Sequence, residues 1–131
     1  MNQTRALNTF DSAHVPARAV AAAGLFGVAL IHLLDLPDTL HEAPFIGAAY
    51  IVLIASSVLV ALDLCRRDSK QSWSAGGALA ALTFLAFAVS RTVGLPGKTG
   101  DIGNWLEPLG LASLFVEGSV AALAGLVLAS W

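Results

Sequence analysis

Residues 45–64, FIGAAYIVLIASSVLVALDL, form an apolar run that opens after Pro44 and is stopped by Arg66, Arg67 and Lys70. At ~1.5 Å per residue, a helix over this run is ~30 Å long, the thickness of a bilayer's hydrocarbon core. The rest of the chain has the same character. Of its 131 residues, 56% are hydrophobic and 12% charged, whereas about a quarter of residues are charged in soluble domains. The composition therefore predicts an all-α, polytopic membrane protein.

On the N-terminal side, the linker Pro37 to Ala43 is short and acidic, and Pro37 is expected to end a first span over residues 18–36, whose run closes with His32 and Asp35. Residues 1–15 read as a polar cytoplasmic tail, with Ser12 or His14 capping the first helix and Pro16 in its first turn. Arg5 and Arg18 before an apolar run would also suit a signal peptide. No small-residue cleavage site follows, so the run is read as an uncleaved helix.

On the C-terminal side, Ser72 or Ser74 is expected to cap a third span over residues 73–94, which Gly94-Leu95-Pro96-Gly97 cannot continue. After a Gly-rich loop, Gly103 or Asn104 caps a fourth span over residues 105–130, with Pro108 in its first turn. The second span is read as residues 45–65. Residues 16–131 then make a four-helix antiparallel transmembrane bundle.

Four spans place both termini on one side, and charge indicates which. Arg5, Arg18, Arg66, Arg67 and Lys70 flank one face and Lys98 alone flanks the other, so the positive-inside rule predicts cytoplasmic termini in a multi-pass protein of the bacterial inner membrane. Trp73 and Trp131 fall at the inner interface and Trp105 at the outer one, as an aromatic belt requires. Ala23 with Gly27, Gly118 with Ala122, and Ala121 with Gly125 are pairs of small residues one turn apart, which let helices approach closely within one chain or in a homodimer or larger complex. Cys65, the only cysteine, excludes an internal disulfide and reads as a small apolar filler at a helix end. A net charge of −2 without a basic stripe argues against nucleic acid as a partner.

Charge inside the spans needs a reason, since an unpaired charge there costs about 2.5 to 3.5 kcal/mol even on the mildest insertion scale. Arg91 lies near the outer end of the third helix and Glu117 near the middle of the fourth. Helical side chains lean toward their own N-terminus, so these two are expected to approach one another. His32 points to the same depth, Asp35 shares its face, Ser113 shares the face of Glu117, and Glu107 and Tyr50 lie within reach. The bland reading is a structural ion pair of Arg91 with Glu117 or Glu107, or an Arg91 that snorkels to headgroups. The functional reading is an outward-facing pocket built from His32, Asp35, Tyr50, Arg91, Glu107, Ser113 and Glu117 that binds an ion or a small polar ligand.

Spacing limits the chemistry. Haem needs two axial ligands at matched depth, and His32 is the only histidine inside a span. A di-iron bundle needs paired Glu-x-x-His motifs, and there are none. His32, Asp35, His41, Glu42 and Glu107 are of the right types for a mononuclear metal ion, with His41 and Glu42 also readable as solvated loop residues. No nucleophile with a supporting base, and no phosphate-cradling glycine loop, stands out.

The order of His32, HEAPFIG opening the second helix, SRTVGLPG closing the third, then WLEPLG and VEG in the fourth, resembles a family of small uncharacterised four-helix bacterial integral membrane proteins. The resemblance covers His32 to Gly118. It implies the architecture and the importance of the stretch from Arg91 to Glu117, and no activity. The loop KTGDIGN is less acidic than the pattern leads one to expect. The leading reading is a ligand-binding or accessory membrane protein. The alternatives are a small proton- or ion-coupled transporter, dimeric and using Glu117, and an enzyme acting on a lipid or quinone.

Overall fold

Proline at the first helical position gives up nothing, because the N–H it lacks would have no partner there. Pro44 and Pro108 both occupy that position. In the computed structural model, which describes the backbone of residues 3–131 and the side chains of residues 14–131, the chain forms four helices. They are α1 (Gln3–Glu42), α2 (Pro44–Arg66), α3 (Lys70–Thr92) and α4 (Pro108–Ala129). Each is long and apolar enough to cross a membrane, α1 from His14 onward. Leu30, Phe45, Val52, Leu59, Leu82, Phe115 and Leu126 all face outward. A helix apolar on every side asks for lipid rather than water around the bundle.

The helices run antiparallel to their neighbours. Arg18 of α1 donates from Nε to the carbonyl of Leu64 at the far end of α2 (2.8 Å), and Tyr50 near the start of α2 donates to Asp35 near the end of α1 (3.1 Å). Gly24 and Gly27 of α1 face Val120 and Val116 of α4, and α3 meets α4 in the same antiparallel sense, Gly77 of α3 against Ala124 and Phe87 of α3 against Gly110. The hydrophobic core lies in the half of the bundle that holds the α2–α3 connection, where Ala21, Leu25, Leu64, Trp73, Ala80, Val120 and Ala124 form one buried cluster. We call this the terminal end, and the opposite one, with the α3–α4 loop, the loop end. α2 and α3 meet near the terminal end, where Gly76 lies against Val60 and Leu64.

Several boundaries differ from the sequence expectations. Helix α1 starts at Gln3 and contains both Pro16 and Pro37, so neither Ser12 nor His14 begins it and Pro37 does not end it. A proline removes one helical hydrogen bond. Unwinding a helix in lipid would strand several backbone groups at several kcal/mol each, so continuation wins. The backbone ladder carries almost unbroken into α2, with Ala43 N–H bonding Thr39 O at 2.8 Å and Gly47 N–H bonding Ala43 O at 3.0 Å. Ala43 alone leaves the helical conformation (φ −145°, ψ 83°).

The cap of α3 is Ser69, whose hydroxyl accepts from Ser72 N–H at 3.1 Å, rather than Ser72 or Ser74. Ser72 is used otherwise: its own hydroxyl donates to Asp63. Helix α4 starts at Pro108, not at residue 105, because Glu107 takes the cap and accepts from Leu109 and Gly110 N–H at 3.1 and 2.7 Å. Trp73 is a core side chain, 1% exposed, and not a belt residue facing lipid. Its indole N–H donates to Asp68 at 2.7 Å, and Asp68 also accepts from His14 at 2.5 Å. Cys65 is exposed rather than a filler. Among the small-residue pairs, Gly27 faces Val116 of α4 and an added Cβ at Gly125 would meet nothing within 4 Å, while the glycine most tightly covered across α1 and α4 is Gly24, which belongs to none of them.

Candidate functional site

Helix α3 closes with Gly94, whose φ of +86° favours glycine and whose N–H bonds Val89 O at 2.9 Å. The loop then folds back over the bundle, and Gly103 N–H bonds Arg91 O at 2.8 Å. This return brings two cations into the loop end. Arg91, 8% exposed, donates to Asn104 O (2.8 Å) and Ser90 Oγ (2.9 Å). It also stands 3.6 Å from both Asp101 and Glu107 and lies over the Phe87 ring at 4.3 Å. Gly110 makes room for it, since a Cβ there would sit 2.9 Å from Nη2 of Arg91.

The second cation is Lys98, only 9% exposed although it belongs to a loop. Its ammonium donates to Thr39 Oγ1 at 2.7 Å and lies 3.5 Å from Asp35 and 3.9 Å from Asp101. Asp35 is the hub of this half, because its Oδ2 also accepts from Tyr50 and Thr39, both at 3.1 Å. Asp101 joins the Lys98 and Arg91 groups into one network. His32 packs edge-on against Tyr50 with ring centroids 4.8 Å apart. Its Nδ1 donates to Val28 O at 2.8 Å, so Nε2 is the acceptor nitrogen of the ring.

Beneath this network lies a cavity of about 780 Å³ that reaches down between the helices to Glu117, a size suited to a small-molecule ligand. Its rim carries Asp35, Asp38, Glu42, Asp101 and Glu107 with Arg91 and Lys98, and its walls are mainly apolar, with Leu53, Leu79 and Phe87, interrupted by hydroxyls such as those of Ser56 and Thr83. Val52 and Leu82, both 66% exposed, line it from α2 and α3, so it opens sideways between these two helices as well as at the rim. Glu117 is 0% exposed. Ser113 donates to its Oε1 at 2.5 Å, and its Oε2 is enclosed without a hydrogen-bond partner.

All seven residues expected in the pocket, His32, Asp35, Tyr50, Arg91, Glu107, Ser113 and Glu117, line this one cavity. Of the two ion pairs expected for Arg91, the one with Glu107 forms and the one with Glu117 does not. Among the described residues the ion pairs of Arg91 are with Asp101 and Glu107, because its guanidinium turns up toward the loop carbonyl of Asn104 instead of down its own helix. The metal candidates also separate. His41 is exposed and does not line the cavity, and among the described residues no group of three or more His, Cys, Asp or Glu side chains could hold a metal ion. Lys98, Thr39 and Asp101 were missed as site residues. Lys98 did carry a signal, as the sole Lys or Arg in a Gly-rich loop facing several carboxylates.

Compared with protein-family models, curated proteins and solved structures, the chain matches none.

Proposed function

We propose that this is a multi-pass cell-membrane protein, termini cytoplasmic, whose cavity binds a small ligand from the outer half of the bilayer, in a binding or accessory role within a homodimer or larger membrane complex. The observation that carries the reading is the carboxyl of Glu117 at the floor of the cavity, with one oxygen unpartnered. Buried polar atoms without a partner are uncommon and costly, so an enclosed, unpartnered oxygen on a residue that lines the cavity is an unused hydrogen-bonding position. The transporter reading would use the same carboxyl but needs a path to the other face. The buried apolar core of Leu25, Leu64, Trp73, Ala80 and Val120 below Glu117 speaks against one.

Ser56 lines the cavity deep on α2, and Ser56→Cys in a Cys65→Ser background gives a reporter of access. In sealed vesicles, a membrane-impermeant charged methanethiosulfonate should modify it from the loop end only. Modification from both faces would establish the transporter instead. Failure of the reagent from either face, with the protein folded, would remove the pocket.

A further inference from the structure

The charge around the cavity indicates what it holds. Five rim carboxylates stand against two cations, Arg91 and Lys98, and both cations are already engaged by carboxylates and by Ser90, Asn104 and Thr39. An anionic headgroup would therefore find no free cation and an excess of like charge. Below the rim the walls are mainly apolar, with the neutral hydroxyls of Tyr50, Ser56, Thr83 and Ser113 and the His32 ring among them, and the carboxyl found there is that of Glu117, ~14 Å down α4 from Pro108 at ~1.5 Å per residue. A carboxyl in apolar surroundings is poorly solvated, and the group that satisfies it best is a positive charge or an ammonium N–H. The carboxyl has a soft terminal torsion and belongs to a residue that lines the cavity, so turning an oxygen toward a ligand there requires no change of backbone.

We infer that the cavity takes a hydrophobic cation, a compact apolar body carrying one ammonium or quaternary centre, which enters between α2 and α3 and seats its charge on Glu117. This rests on the pocket reading above and names its ligand class. Lateral entry follows from the exposed Val52 and Leu82 that flank the opening: a lipophilic cation partitions into the bilayer and meets the mouth there. The acidic rim raises the local concentration of cations and repels anions.

The test uses the full chain purified in detergent, with labelled tetraphenylphosphonium as probe in equilibrium dialysis. One saturable site is expected per chain. 1-Adamantylammonium should displace the probe, whereas 1-adamantanol, the same apolar body without the charge, should not at the same concentration. Glu117→Gln should weaken tetraphenylphosphonium at least tenfold while eluting and melting as the parent does. Equal displacement by the amine and the alcohol, or full binding by Glu117→Gln, would overturn the inference. If Glu117→Gln does not fold, the amine and alcohol comparison on the unaltered protein decides alone. The two levels separate through Ser56→Cys. A cysteine that the thiosulfonate reaches, but that no cation protects, sinks the cation and keeps the pocket, whereas a cysteine that no reagent reaches sinks both.

Discussion

Arg91 and Glu117 show how far side-chain direction can be read from a helix. Depth was legible, since both residues line one cavity as their positions along α3 and α4 imply. Contact was not legible, because the direction of the arginine is set by the carbonyl of Asn104, and the conformation of a Gly-rich loop has no periodic signature. The same applies to Lys98, whose inward seat depends on the loop folding back. A consequence can be measured by thermal unfolding in detergent. Arg91→Met should cost on the order of 2 to 3 kcal/mol, less than the about 3 to 5 typical of a fully buried broken pair. The reduction arises because the carboxylates it strands, Asp101 and Glu107, are 29% and 38% exposed. Since Arg91 and Glu117 share no partner among the described residues, adding Glu117→Gln should leave the stability of Arg91→Met unchanged within about 0.5 kcal/mol. Recovery of stability in the double variant would show that the two residues pair after all.

Among the helices, the existence of four apolar spans was the most legible property, since 20-residue apolar runs depend on composition alone. Their ends were less so. Proline was read as a stop at Pro37, a rule drawn from water, where released backbone groups find solvent partners. In the chain as folded, Pro37 is simply passed through. Packing partners were also hidden, because an Ala- and Gly-rich chain offers many small-residue pairs and depth alone does not choose among them. The contact that matters is Gly24 against Val120. Gly24→Ala should therefore destabilise the bundle by about 1 to 2 kcal/mol through overpacking, despite alanine's better helix propensity. Val120→Ala in the same chain should relieve much of that loss. A stabilising Gly24→Ala in the same melting assay would mean that α1 and α4 are further apart than described.

For the bundle as a unit, the orientation across the bilayer is a proposal that the flanking cations support, and the chain carries its own reporter. Cys65 is exposed at the terminal end. An impermeant maleimide should label it only from the cytoplasmic side, and Gly100→Cys in a Cys65→Ser background, at a position where an added Cβ would meet nothing within 4 Å, only from outside. The reverse pattern would turn the cavity toward the cytoplasm. The single-residue junction at Ala43 has a different kind of consequence. Most connections between helices absorb a change in length. Here, with hydrogen bonds running from Thr39 O to Ala43 and from Ala43 O to Gly47, there is no slack. One inserted residue would advance α2 by about 100° of helical phase relative to α1, swinging Tyr50 away from Asp35 and His32 and turning the Val52 side of the opening elsewhere. The α1–α2 turn thus behaves as a phase lock, and any tolerance of the chain for insertion lies in the loop around Gly100.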